Sequence, residues 1–430
     1  MNQAILIFIL IIFCGFTSLA NAEEDIIRPD LRSIYVKRNV EKLEVILLDS
    51  INKNKIQMNE LQEEQSASND TAEFAIFENL PDTDKNFVHH PETKEYSLFN
   101  KIYNMQIERT SIPSYLLQDE LTFKPKRGIV DKVQFFGAYN GNFKMLFTGS
   151  KYNNNYDAFW ANIGAAGTLK DKSADFKVQF NFLPAENRNY IQNLVTDAYV
   201  VYNKIPNHKI IVGNSRNQVG VDGGASAYTQ PFLLRSQIGR TFGNTRALGV
   251  RVVGSYPLAD YSLALNSSDR FFKRFFPGTE FTGWVNIKPF GKTDGRYGKL
   301  TVGGGLSSGH NHFDYTVAGA YIEYSYKRFM ANAEFSTADG YNGLYLNNKK
   351  ASGFYTTLGY KITPKIQVLA RFDRFNPDKN TTGNSKNEYT AGLNYFIKGQ
   401  ALRFILNYVF CQNDNAPDSH KIIVGTQILL

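Results

Sequence analysis

Of the 48 Lys and Arg in this 430-residue sequence, eight stand where they could hold an oxyanion: Arg216, Arg235, Arg240, Arg246, Arg251, Lys288, Arg371 and Arg403. A guanidinium can replace the water an anion loses in a narrow passage with charge-assisted, bidentate hydrogen bonds. A lysine does the same work as a point charge. Arg235 and Arg240 lie within the stretch "NQVGVDGGASAYTQPFLLRSQIGRTFGNT", beside Asp222, and Arg216 and Arg246 stand at its two ends. The competing use of such residues is internal pairing, with Glu323, Glu334 or Asp373 as partners. Residues 129–430 hold 34 Lys and Arg against 20 Asp and Glu, an excess of +14, so acids cannot neutralise all of them. Arg270, Lys273 and Arg274 fall in another loop, where contact with anionic lipid is the expectation.

Other chemistries have less support. "SGHNHFD" places His310, His312 and Asp314 close together, but in a polar loop these are expected to be solvated, with no metal bound. The histidines at 89, 90, 208, 310, 312 and 420 form no recognisable triad, and no nucleophile-elbow motif occurs, so catalysis is not expected. No cofactor and no nucleic-acid partner is expected either.

The elements that position the basic residues follow from the patterning. Residues 1–22 read as a secretory signal, with the apolar run "ILIFILIIFCGF" and Ala20 and Ala22 in an A-x-A cleavage pattern. Cleavage there leaves Cys411 alone, which excludes an intrachain disulfide and a cysteine-based metal site. Residues 23–128 hold 14 basic and 20 acidic residues, net −6. Within them, residues 23–70 look helical. Val40, Leu43, Leu47 and Leu61 fall near heptad spacing, but Ser50 and Asn54 interrupt the seam. A single solvated helix is preferred there over a short coiled coil. Residues 71–128 read as a linker or periplasmic segment.

From about residue 129 the helical period gives way to strict alternation. Sixteen strands are expected, near 131–148, 158–169, 174–183, 194–204, 208–216, 246–257, 260–267, 280–289, 298–307, 313–326, 328–337, 352–362, 365–375, 387–397, 401–411 and 420–430. In "ALRFILNYVF" one face carries Leu402, Phe404, Leu406, Tyr408 and Phe410, while Arg403 and Asn407 share the other. Tyr389 and Tyr395 bracket one apolar stripe, Phe354 and Tyr360 a second, Phe329 and Phe335 a third. Aromatic rings at both ends of an apolar stripe suit the two interfaces of a bilayer. Short connections ("KIPNHK", "PLAD", "YKRF", "ITPK", "KGQA") alternate with long ones ("GSKYNNNYDA", "PAENRNYIQN", "SSDRFFKRFFPGTE", "TADGYNGLYLNNK", "NPDKNTTGNSKN", "QNDNAPDS"). The expected fold is therefore all-β: a sixteen-stranded antiparallel transmembrane β-barrel over 129–430, preceded by a partly helical periplasmic segment. A mean hydropathy of −0.33 is compatible, because only every second strand residue faces lipid.

The segments "DAYVVYNKIPNHKIIVGNSRNQVGVDGG" and "TRALGVRVVGS" resemble the phosphate-selective porin family of the O/P type. Asp197-Ala198-Tyr199, Val212-Gly213, Arg216, Gly220 and Arg246-Ala247-Leu248-Gly249-Val250 stand where that family has its motifs. The resemblance implies a trimeric barrel of the bacterial outer membrane, surrounded by lipid and passing small anionic or hydrophilic solutes. The run Asn214-Ser215-Arg216-Asn217 departs from the family's usual lysine with a nearby aromatic, and Leu430 replaces its terminal aromatic. The first departure bears on phosphate selectivity. A structural or adhesive barrel without an open channel is the alternative.

Overall fold

The computed structural model describes residues 121–183, 194–243, 246–270, 276–293, 295–343 and 345–430. The expected signal and helix, the expected linker up to residue 120, and Lys273 and Arg274 lie outside the described residues. A two-residue strand β1 (Thr122–Phe123) pairs with β2 at Val133 and Gln134. The wall begins with β2 (Val130–Thr148), β3 (Lys151–Leu169), β4 (Ala174–Asn181), β5 (Val195–Tyr202), β6 (His208–Arg216), β7 (Arg246–Ser255), β8 (Ala259–Ser267) and β9 (Thr279–Ile287). It continues with β10 (Lys299–Asn311), β11 (Phe313–Tyr326), β12 (Phe329–Asn342), β13 (Leu346–Lys361), β14 (Ile366–Asn376), β15 (Lys386–Lys398), β16 (Leu402–Asn413) and β17 (Ala416–Leu429). All sixteen expected strands are present, β2 through β17.

Each wall strand pairs antiparallel with the next, and β17 returns to pair with β2 from Ser419↔Thr148 to Leu429↔Ala138. Gly137 and Leu430 exchange backbone hydrogen bonds at 3.1 and 2.8 Å, so the seam extends to the last residue. The ladder closes, as a sheet surrounded by hydrocarbon requires, because an open edge would leave unpaired N–H and C=O groups there.

The greasy face points outward. On β16, Phe404, Leu406 and Tyr408 are 47, 41 and 42 % exposed, whereas the alternate residues Arg403, Ile405, Asn407 and Val409 are no more than 2 % exposed. The same division holds on β14, where outward Val368 alternates with buried Gln367, Leu369, Arg371 and Asp373. A soluble sandwich would bury its apolar face and hydrate the other. An outward aromatic row runs from Phe354 through Phe372, Tyr389 and Phe410 to His420, with centroid separations of 5.7, 5.1, 6.0 and 4.9 Å. Phe329, Tyr360 and Tyr395 are exposed toward the opposite rim. Leu406→Arg puts a guanidinium in the middle of this band and should cost about 2–4 kcal/mol of stability. Reversible folding into lipid vesicles measures that loss, and a loss near zero would argue against lipid contact at Leu406.

The connections differ from expectation in one respect. "GSKYNNNYDA", "TADGYNGLYLNNK" and "QNDNAPDS" are not long loops: β2–β3, β12–β13 and β16–β17 continue as ladders, the strands ending at Thr148, Asn342 and Asn413 and resuming at Lys151, Leu346 and Ala416. These extensions carry polar residues on both faces, so they show no apolar alternation, yet pairing satisfies their backbones. The connections after Asn181, Arg216, Ser267 and Asn376 leave from the same rim and are longer. His310 and His312 do not share a loop. His312 (φ 65°) is the turn between β10 and β11, and His310 Nδ1 lies 2.7 Å from Asp314 Oδ1.

Candidate functional site

Residues 217–245 leave the wall after β6 and fold into the barrel. Helix α1 (Val221–Gly224), a 3-10 turn (Ala227–Thr229) and helix α2 (Gln237–Thr241) form the segment's internal structure. Ser226 and Ser236 accept from the backbone N–H groups of Tyr228 and Gly239 and start the 3-10 turn and α2. The Asp222 carboxylate accepts from the N–H and the hydroxyl of Ser236 at 2.6 and 2.7 Å, tying the two halves of the segment together. Gly223 and Gly243 are backbone to backbone: a Cβ on Gly243 would sit 2.3 Å from the Gly223 Cα. A side chain at either position would push the halves apart.

Wall side chains hold this segment from several sides. The Glu334 carboxylate on β12 accepts from Val221 N and Asp222 N at 2.9 and 3.1 Å, and from the Tyr355 hydroxyl at 3.0 Å. Asp373 on β14 accepts from Gln237 N at 2.6 Å. Arg371 donates to Leu234 O at 3.0 Å and stacks on the Phe232 ring, 4.7 Å from its centroid. Arg403 donates to Gln230 O at 2.7 Å, Asn394 to Pro231 O at 3.0 Å and Gln427 to Tyr228 O at 2.9 Å. Asn407 accepts from Leu233 N at 2.8 Å. On the other side, Asn162 of β3 donates to the Tyr228 hydroxyl at 2.7 Å. Val219, Ile238 and Phe242 pack with Val317, Ala338, Tyr341, Ala351, Tyr355 and Phe375 from β11–β14. Gly392 and Gly425 leave sockets for Phe232 and Leu233.

The expected basic residues therefore divide by what they touch. Arg371 and Arg403 clamp segment carbonyls. Arg235 binds the carbonyls of Asp222 and Ala225, the latter at 2.7 Å. Burial pulls its guanidinium below its usual pKa, with Asp222 opposing. Arg240 bonds to Arg235 O and pairs with Glu388 at 2.8 Å. Burial disfavours its charge, but Glu388 and Asp373 together outweigh it and its pKa lies above the usual value. Arg251 donates to Arg216 O, and Lys288 lies 3.5 Å from Asp260. Arg246 pairs with Asp197 at 2.6 Å.

Four cations converge on β4–β7 and the segment. Asp197, on β5, accepts from both Lys177 Nζ at 2.7 Å and Arg246 Nε at 2.6 Å. Arg216 interacts electrostatically with Arg246, Arg235 and Asp197, and Lys177 with Arg246 and Arg216. Lys288, Arg371 and Arg403 stand elsewhere on the wall. Lys177 is absent from the set singled out by sequence. Its signal was available, since Asp175, Lys177 and Gln179 share one face of β4 and Phe176, Val178 and Phe180 the other. Arg270, expected on an outer loop, is instead buried against Glu280, whose carboxylate also accepts from Tyr315. Pairing with this buried carboxylate accounts for that inward turn. Among the described residues no group of three or more His, Cys, Asp or Glu is placed to hold a metal.

Residues 262–422 match the family model for phosphate-selective porins O and P. The outer membrane channel DcaP of Acinetobacter baumannii is similar in structure, with a TM-score of 0.51 and 14% identity over 72% of this chain and 99% of that one. An anion-selective porin from Comamonas acidovorans gives 0.53 and 10%, over 69% and 99%. Salmonella typhi OmpF, in complex with daunomycin, gives 0.52 and 15%, over 70% and 98%. At these identities the likeness is one of fold. No curated protein matches the sequence. The expected resemblance to the O/P porins and the expected localisation both stand: the family and these neighbours are bacterial outer-membrane β-barrel proteins.

Proposed function

We propose that this barrel is an outer-membrane channel for passive diffusion of small hydrophilic solutes, narrowed by residues 217–245 and preferring anions. The observation that carries the preference is the group of Lys177, Arg216 and Arg246 around one shared carboxylate, Asp197, with Arg235 beside Arg216 and Arg246. Asp222 offsets part of the Arg235 charge, so the group stays net positive. Walls of low dielectric focus such a charge and raise the local concentration of counter-ions. The anion-selective porin among the structural neighbours is consistent with this reading, as is the partial match to the O/P family. Phosphate-like anions fit the guanidinium donors, and a homotrimer is the assembly the family resemblance suggests.

Lys177→Gln combined with Arg246→Gln is the test. It should lower the chloride-to-potassium permeability ratio, read as a shift of reversal potential in a salt gradient across a planar bilayer. An unchanged ratio removes this cluster from the mechanism. A second reading, a barrel plugged at rest, is favoured by the low exposure of the lumen-facing Arg403, Asn394 and Gln427, each 1 % or less. A plugged barrel passes no stepwise current, so the same recording separates the two.

A further inference from the structure

The outer surface carries charge where the aromatic row ends. On β14, Arg374 follows Phe372 on the outward face, is exposed, and stands directly opposite Phe354 of β13. Lys350 lies four residues above Phe354 on the same face of β13. Its Nζ is 3.2 Å from Asp339 Oδ2 on β12. Lys379, in the 377–385 connection, is pinned by a 2.7 Å bond from its N–H to Lys350 O, and its Nζ reaches back to Thr337 Oγ1 at 3.1 Å. Lys349 completes the group, 3.4 Å from Asp378. Four cations thus face two carboxylates, and no carboxylate among the described residues lies within ion-pair distance of Arg374.

This patch lies at the rim with the longer connections, the extracellular rim of a bacterial outer-membrane barrel. Its height is that of lipid headgroups, because the apolar band ends at Phe372 and Phe354. We propose that Lys350, Arg374 and Lys379 form a binding surface for the phosphate of a phosphorylated glycolipid in the outer leaflet. The guanidinium plane supplies a fork for phosphate oxygens, the two lysines supply point charges, and the aromatic row below packs against the acyl chains. The surface is separate from the lumen, so it requires a membrane-embedded barrel but not an open channel.

Native mass spectrometry of the folded full-length protein tests this, with bis-phosphorylated lipid A and its dephosphorylated form as probes. The wild-type protein should retain the phosphorylated lipid several-fold better than the dephosphorylated one. Lys350→Gln/Arg374→Gln/Lys379→Gln should abolish the difference, and Arg374→Gln alone should reduce it. Heat-modifiable gel migration confirms that each variant is folded, and single-channel conductance should be unchanged. Equal retention of the two lipids by the wild type overturns the proposal, as does undiminished preference in the triple variant. Loss of the lipid from the wild type on chelation of divalent cations also overturns it, because carboxylates bridged through a cation, not these side chains, would then be the holders.

Discussion

Replacing residues 217–245 with a two-residue Asn-Gly turn should raise single-channel conductance several-fold and leave the barrel folded. Arg216 and Arg246 are register partners across β6 and β7, so a type I′ turn can close that hairpin without the segment. The ladder from β2 to β17 closes independently of it. The side chains that clamp the segment, Arg371, Arg403, Asn394 and Gln427 among them, would be released into water rather than orphaned, since a barrel of this size encloses an aqueous bore once emptied. A point substitution gives the same answer by another route. A Cβ at Gly425 would lie 2.7 Å from a Leu233 methyl, and one at Gly392 would lie 2.8 Å from the Phe232 ring. Gly392→Leu with Gly425→Leu should therefore expel the middle of the segment and raise conductance toward the excised level. If both changes leave conductance as it was, residues 217–245 do not set the constriction.

Glu334→Ala should loosen the segment, through Asp222 and its bonds to Ser236, and make it cleavable by trypsin after Arg235 or Arg240 while the wall stays intact. The substitution removes the acceptor of two backbone N–H groups and of the Tyr355 hydroxyl. Leaving buried donors without partners costs about 1–3 kcal/mol each. The carboxylate of Asp222 is a like-charged neighbour of Glu334, so its relief offsets part of that cost. Three lost bonds outweigh one relieved repulsion, and water entering the loosened site takes up the remainder. The lag before cleavage, followed on gels that separate folded from unfolded barrel, measures the effect. Glu334→Gln, which keeps one carbonyl acceptor, should fall between the two. A lag identical to wild type in Glu334→Ala would mean that the segment is held elsewhere.

The wall was legible because its physics has a short period. A strand with lipid on one side and lumen on the other must alternate, and Ile366 to Asp373 does so apart from Leu369 on the inward face. Alternation fails above the membrane, where both faces are wet, which is why Lys151–Asp157 read as a loop and folds as a strand. The residue types of the candidate site were legible as well, since arginines cannot face hydrocarbon. Their partners were not. Arg403 meets Gln230, and Arg371 meets Leu234, across 173 and 137 residues of sequence. Those meetings depend on the path of residues 217–245 through the lumen, and that path is set by tertiary sockets such as Gly392 and Gly425. Arg270 misled for a related reason: its carboxylate partner, Glu280, lies on a neighbouring strand and draws it inward. Lys177 shows the opposite case, a residue whose strand parity alone would have placed it in the lumen.

Single-channel recording of the unmodified protein in a planar bilayer, under a potassium chloride gradient, tests the central claim most directly. The expected record has small, discrete current steps and a reversal potential displaced toward the equilibrium potential of chloride. A silent bilayer for the unmodified protein, with large steps appearing once residues 217–245 are excised, would contradict an open channel and identify a plugged barrel instead. A reversal potential displaced toward potassium would contradict the anion preference.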